Sequence, residues 1–397
     1  MQTNPKETFS PGPVFISYSR KDLEEVKQIV KALKTAGISI WQDIESMDVG
    51  MTESQIRKAI LEECSGLLFY VTENSMDSVF IKEIELCEAY KKFREDETFS
   101  IIPFSDIPWD KADRDFNGVF MGKISRFNGV NTLQYKSITE ALNTLRKRIL
   151  SSIVNRINES CIKISVMTHI TTPKNFRSIL DLDWSYFSKK DIISKNYWID
   201  SAREVFLDVR NVLMKQGITN LEMYSKAHLH VGFAFGFIFR RETGFSLKIH
   251  QFDQIWSTQI EKNPTSHLRF SLTECNIGSK HLAISISISN NVENALKKFI
   301  NDNNIFRCCL DCMPSSGDLP YTIPNTTVAA EMAGEIRKEI IDASNKYNIT
   351  DIHLFAAIPI ALAYMIGWRL NACGKIHLYH HDKNSIYKPS WIIDAND

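Results

Sequence analysis

Apolar positions in the first 150 residues alternate between short unbroken runs and stretches with helical spacing. Val14 to Tyr18 forms a run, Leu23 to Ala36 carries Val26, Ile29, Val30 and Leu33 at helical spacing, and Ile38 to Trp41 forms the next run. The alternation continues with a helix around Ile56 to Leu61, a run Gly66 to Val71, a helix from Ser78 to Phe93 and a run Phe99 to Phe104. Strands and helices in this order predict a parallel sheet covered on both faces. A last amphipathic stretch, Ser137 to Ile157, places Leu142, Leu145, Ile149 and Ile153 on one face and closes this domain or connects it to the next.

The pattern resumes at Cys161. Strands are predicted near Ile162 to Thr168, Leu221 to Tyr224, Leu247 to Phe252, His281 to Ser289, Ile305 to Leu310, Ile352 to Phe355 and Ile376 to Tyr379. Within this stretch Ile218 to Phe239 lies without a gap on Ile349 to Leu370, an offset of 131 residues that places Gly236 on Gly367. After a four-residue contraction, Lys248, Ile249 and His250 fall on Lys375, Ile376 and His377. Apolar positions match apolar positions almost throughout, and the identities go beyond what two unrelated strand-helix-strand segments share. The repeat predicts two Rossmann-like units facing each other about a pseudo-twofold axis. Ligands of such open sheets sit beyond the carboxyl ends of the strands, where helix N-termini present free N–H groups.

Composition narrows the function classes. The 397 residues are 44% hydrophobic and 24% charged, an ordinary globular balance at a length that suits two or three domains. Forty-seven Lys plus Arg offset forty-seven Asp plus Glu, so the field that drives binding to polymeric nucleic acid is missing and a nucleotide ligand should be small. To residue 150 the chain carries 20 basic and 23 acidic residues, leaving 27 and 24 afterwards, a lean whose sign suits an anionic ligand in the second part. Met1 to Ser10 has no apolar core and no run approaches the ~18 apolar residues of a membrane span, which points to a soluble cytoplasmic protein with no membrane partner. Eight cysteines are too few for a disulfide scaffold. Cys309 and Cys312 have metal-like spacing, but a zinc site needs two more ligands, and Cys308 beside them in the run Ile305 to Leu310 reads as part of a buried strand. All ten histidines lie at or after His169, so chemistry in the first domain runs without histidine.

The segments FISYSRKD (Phe15 to Asp22), GISIWQDIESMDVG (Gly37 to Gly50) and SVFIKEIE (Ser78 to Glu85) stand in one order and resemble the TIR domain family across residues 11–150. The resemblance implies a flavodoxin-like fold. In the catalytic branch of that family a glutamate opens the helix after the third strand and cleaves nicotinamide from NAD+; residue by residue it falls on Glu83. One carboxylate suffices for this chemistry. The pyridinium leaves as neutral nicotinamide and needs no proton, whereas glycosidases need two carboxyl groups because an alkoxide leaves badly. What remains is stabilising an oxocarbenium-like transition state. The neighbouring acids Glu73, Glu85 and Glu88 read as solvated helix-face groups, and a surface Glu83 taken alone would read the same way.

Ser17, Tyr18 and Arg20 end the first strand at the edge where nucleotides bind such sheets, and Arg20 suits a phosphate; Tyr18 can equally pack. Trp41 and Asp43 end the second strand ahead of the loop Ile44 to Gly50, which in TIR domains contacts the next TIR domain. Asp48 in that loop faces either NAD+ or a neighbouring subunit.

Residues 160–397 resemble the SAVED family, two fused units similar to CARF domains that sense cyclic oligonucleotides made in bacterial anti-phage defence. The resemblance rests on DLDWSYF (Asp181 to Phe187), the paired runs HLHVGFAFG and HLFAAIPIALAYMIGW, and IYKPSW (Ile386 to Trp391). Ser225, Lys226 and His228 follow a strand in the first half, where the second half has Ala356, Ala357 and Pro359. Lys226 and His228 are candidates for the cyclic nucleotide, as are Ser315 and Ser316 in the loop Pro314 to Gly317. Tyr387, Lys388 and Trp391 combine stacking with charge, although a Trp can simply anchor a terminal segment. His380 and His381 read as lacking the partners a metal site needs.

Together these readings imply an effector in which a cyclic oligonucleotide, by the resemblance a cyclic oligoadenylate, binds the second domain, drives self-assembly into an oligomer or filament, and activates NAD+ cleavage by the first. NAD+ is then substrate, the cyclic oligonucleotide activator, and no cofactor or metal is required. A TIR domain that only scaffolds other TIR domains is the alternative.

Overall fold

The computed structural model describes residues 12–41, 53–96, 98–155, 157, 159–169, 178–185, 202–260, 266–381 and 386–394. The chain divides into two compact units, Met1–Glu159 with Arg177–Asp183 and Ser160–Phe176 with Trp184–Asp397. Among the described residues no helix is long and apolar enough to cross a membrane.

The first unit is built on four parallel strands in the order β1 (Val14–Ser17), β2 (Gly66–Val71), β3 (Ser100–Ser105) and β4 (Val130–Asn131). Nearly every residue of β1, β2 and β3 is buried, which is why they appear in the sequence as unbroken apolar runs rather than alternating ones. Helix α1 (Leu23–Thr35) buries Val26, Ile29, Val30 and Leu33, the stripe read from the sequence. The run Ile38 to Trp41 lies beside β1 but makes a single parallel bridge, Val14 to Ile40, instead of a full strand. Helix α2 (Leu86–Glu95) is preceded by a π-helical turn, Ile81–Glu85. Helix α3 (Trp109–Phe120) follows β3, and α4 (Ile138–Val154) starts where the Ser137 side chain accepts from Glu140 N. The core beneath these helices is aromatic, with Phe15, Phe69, Phe99, Phe116 and Phe120 all buried.

The second unit contains the repeat. Strands β5 (Cys161–Met167), β6 (Asn220–Lys226) and β7 (Ser246–Gln251) are parallel neighbours, and β8 (Gln254–Ser257) returns antiparallel to β7; helix α5 (Arg203–Lys215) precedes β6, and α6 (Leu229–Ile238) joins it to β7. The other sheet has six strands, numbered β9 (Leu268–Glu274), β10 (His281–Ser287), β11 (Phe306–Pro314), β12 (Asp351–Ala357), β13 (Lys375–His381) and β14 (Tyr387–Ile393) in chain order. Across the sheet they run β9-β11-β10-β12-β13-β14, and only the edge strands are antiparallel to their neighbours. Helix α7 (Glu293–Asp302) joins β10 to β11, α8 (Thr326–Tyr347) joins β11 to β12, and α9 (Ile360–Arg369) joins β12 to β13.

Adding 131 to the bounds of β6 and α6 gives the bounds of β12 and α9 to the residue. The two repeat helices also meet reciprocally. A Cβ on Gly236 would stand 2.2 Å from the Tyr364 carbonyl oxygen, and one on Gly367 would stand 2.3 Å from that of Phe233, the residue that aligns with Tyr364. Both glycines are therefore required for close backbone approach, and the contact obeys the pseudo-twofold inferred from sequence. Ser225 Oγ and Tyr364 Oη, 2.9 Å apart and buried, tie the halves together further.

One expectation is revised, and the reading of Cys308 as part of a buried strand holds. Tyr387 to Trp391 is part of strand β14 instead of a terminal tail. Cys308, Cys309 and Cys312 are buried in β11, where residues three apart point to opposite faces, so Cys309 and Cys312 do not converge on one ion. The edge strands β8 and β9 form no unbroken apolar run; along β9, Leu268, Phe270 and Leu272 alternate with polar residues instead.

Candidate functional site

In the first unit the carboxyl end of β1 carries a buried polar pair. Ser17, the last residue of the strand and fully buried, donates its hydroxyl to Glu85 Oε2 at 2.6 Å. Glu85 closes the π-helical turn and is itself buried. Burial pushes its carboxyl up to about 7, with the Ser17 hydroxyl pulling the other way by favouring the charged form. Tyr18 is half-buried; burial raises its phenol, Arg20 opposes the rise and Glu85 adds to it, so all three share one electrostatic neighbourhood. Arg20 itself is exposed. Beneath this edge Asp22 accepts from Thr72 Oγ1 at 2.6 Å and from Asn74 Nδ2, which locks the turn that leads into α1.

Glu83 is exposed. At about 100° per residue along a helix, it and Glu85 point to nearly opposite sides. Glu85, read as solvated, is thus the acid turned inward. The sequence carried a signal for this: Ile81, Glu85 and Ala89 fall four apart, a spacing that puts Glu85 on the apolar face. Trp41 stacks on Phe15 at 5.2 Å and donates Nε1–H to Glu63 Oε2 at 2.8 Å, so it packs at the sheet margin. Asp43, Asp48 and the loop Ile44 to Gly50 lie outside the described residues.

In the second unit a cavity of ≈ 210 Å³ opens at the carboxyl ends of β6, β12 and β13. That is below the roughly 300–1,000 Å³ of pockets for drug-sized ligands, so it accommodates one part of a larger molecule. His228, the N-cap of α6, lines it together with His169, His230, His380 and Tyr387. Thr168, fully buried, accepts from the His228 backbone N–H at 2.8 Å, and its Oγ1 lies 2.7 Å from His228 Nδ1. Burial first, then the neighbouring rings, hold His228 down at about 3 and His230 well below the ordinary histidine range; burial and Lys226 lower His169. At neutral pH these rings are uncharged.

The sequence candidates separate here. His228 and Tyr387 line the cavity, and Lys226 stands exposed beside it at the end of β6. Trp391 is buried, stacks on Phe206 at 5.8 Å and donates Nε1–H to His230 Nδ1 at 3.0 Å; it orients a cavity histidine instead of presenting a face to a base. Ser315, Ser316 and Lys388 are exposed and outside the cavity wall. His380, read as lacking partners, brings a ring nitrogen within 4.8 Å of those of His228 and His230. About 150 residues separate it from them, a distance no local motif spans. The other histidine group, His281, His353 and His377, sits nearer the amino ends of the strands; His377 bonds to Asp351, and His353 bonds to Tyr379, which lines the cavity.

A family model for the SMODS-associated and fused to various effectors sensor domain, SAVED, matches residues 207–393, and a TIR domain model matches residues 14–125. Among solved structures, the chain is similar to the Acinetobacter baumannii Cap4 SAVED/CARF-domain containing receptor with the cyclic trinucleotide 3'3'3'-cAAA. The identity is 16% and the TM-score 0.52, over 96% of this chain and 80% of that one. The same receptor with 2'3'3'-cAAA matches at 16% identity and a TM-score of 0.51 with equal coverage. At this identity the likeness speaks to fold. No curated protein matches the sequence.

Proposed function

Because the chain carries a TIR domain followed by a SAVED sensor domain, we propose that it is a cyclic-oligonucleotide-activated NAD+ glycohydrolase whose sensor drives assembly of the catalytic domains. The observation that carries this reading is a buried carboxylate at a strand edge of the TIR unit together with a duplicated sensor whose cavity opens at strand carboxyl ends. The neighbouring receptors are named for cyclic trinucleotides of adenosine, and a cyclic oligoadenylate is the activator class we assign.

In the reaction, water replaces nicotinamide at the ribose C1′ and a proton is released with ADP-ribose. The resemblance puts the family glutamate at Glu83; we assign the role instead to Glu85, two residues on, because Ser17 holds its carboxyl group at the carboxyl end of β1. The π-helical turn supports this shift, since an extra residue in a turn rotates everything after it and such turns cluster at functional sites. Ionised Glu85 would stabilise positive charge developing on the ribose, Ser17 would hold its orientation, and Arg20 would take the diphosphate.

A constantly active NAD+ hydrolase would deplete its host, so the resting enzyme must be held off. Switching from 1:99 to 99:1 needs ~5.5 kcal/mol of differential binding, and coupling ligand binding to polymerisation supplies it. Head-to-tail stacking that does not close grows into a filament. Light scattering of the full chain tests this: particle mass should rise on adding the activating cyclic oligonucleotide, and activation at constant mass would sink the assembly step.

A further inference from the structure

His228, His230 and His380 hold three ring nitrogens within 4.8 Å of one another on the wall of the sensor cavity. Imidazoles at this spacing suit either a transition metal or an anion that shares their protons. Three observations favour the anion. First, an indole N–H can only donate, so His230 Nδ1, which accepts from Trp391, is unprotonated. The neutral ring then carries its proton on Nε2 and offers a donor there, where a metal would need a lone pair. Second, His228 and His230 stand at the N-cap and second position of the ten-residue helix α6, whose free N–H end is partially positive and opposes a dication. Third, the described residues lining the cavity include no carboxylate.

We propose that this trio is a proton-coupled anion subsite, in which a phosphate oxygen of the bound cyclic oligonucleotide enters the cavity together with one proton taken up by the histidines. The inference rests on the reading that this unit binds such a ligand. The proton comes from solvent and adds to a neutral ring; no bond in the ligand breaks.

The groups facing the trio come from four elements. His169, after β5, lies 4.0 Å from the His228 ring centroid, and Lys226 at the end of β6 acts on His169. Tyr379 and His381 flank His380 on β13, and β14 contributes Tyr387. Without ligand, burial first and then the neighbouring rings keep His228 and His230 neutral. The repulsion between rings acts only when more than one is charged, so a single shared proton is opposed by burial, by the positive end of α6 and by Lys226, and an anion beside it offsets those costs. Protonated sites bind tighter, and affinity should therefore increase as pH falls, by at most about tenfold per pH unit for one proton.

The test is calorimetric titration of the full chain with 3'3'3'-cyclic triadenylate at pH 8 and pH 6, each in buffers of different ionisation enthalpy. We expect net proton uptake and roughly tenfold tighter binding at pH 6. His380→Asn should reduce both effects, and the proton count of the unsubstituted chain stands without any variant. Tight binding with no proton exchange and equal affinity at both pH values would overturn the subsite while leaving the sensor reading intact. Binding that is lost on chelation and restored by zinc would replace it with a metal bridge. Failure of this ligand and of other cyclic di-, tri- and tetranucleotides to bind would overturn the sensor reading and the subsite with it.

Discussion

Glu85→Gln should lower NAD+ cleavage by about 10²- to 10³-fold, the scale seen when an electrostatic group at a reacting centre is removed, while Glu83→Gln should stay within about threefold of the unsubstituted chain. The substitution is nearly isosteric, and the amide oxygen can still accept from Ser17, so the fold should survive; circular dichroism checks that. The pH profile gives a second readout. Glu85 titrates at about 7 because it is buried, and only its charged form stabilises an oxocarbenium ion. Activity should therefore rise through neutral pH and fall below it. A carboxylate in water would instead place the rise near the ordinary glutamate value of about 4.3. Nicotinamide release measured from pH 5.5 to 8.5 for the three proteins decides the matter. Loss in Glu83→Gln with Glu85→Gln active would return the role to the exposed acid.

The repeat makes a prediction about stability. Gly236→Ala places a methyl carbon 2.2 Å from the Tyr364 carbonyl oxygen, a backbone atom that cannot rotate aside, so helices α6 and α9 must separate. Overpacking of this kind costs about 1–3 kcal/mol and sometimes more, and Gly236→Val should be worse. Gly367→Ala should match Gly236→Ala, since the contact is reciprocal. Gly334 in α8 has open space around its Cβ position, and Gly334→Ala should stabilise by up to ~1 kcal/mol through helix propensity. Denaturant unfolding of the four variants measures this. Equal tolerance at Gly236 and Gly334 would mean the two helices do not cross as described.

Much of this architecture was legible because burial writes itself into a sequence. Strands buried on both faces read as unbroken runs, and β1, β2 and β3 were placed that way. The repeat was legible because one packing problem, two helices touching through glycine, recurs with the same solution at Gly236 and Gly367. Edge strands β8 and β9 were missed because half or more of their positions face solvent. The sites divide along the same line. That His228 reaches the cavity wall was legible because it follows a strand and starts a helix, a local signature. His380 reads as lacking partners because His228 and His230 lie about 150 residues away in sequence, and of the two roles open to Trp391 the buried, anchoring one is settled by His230, 161 residues away. Glu85 reads as solvated when taken with its acidic neighbours, yet its four-residue spacing from Ile81 and Ala89 already puts it on the buried face of the turn.

The measurement that tests the central claim most directly is nicotinamide release from NAD+ by the purified full chain, with and without each of a panel of cyclic di-, tri- and tetranucleotides. The account predicts negligible release alone and strong release with one cyclic oligonucleotide, lost in Glu85→Gln. No release with a cyclic oligonucleotide that binds tightly would contradict it and leave a TIR domain that serves as a scaffold.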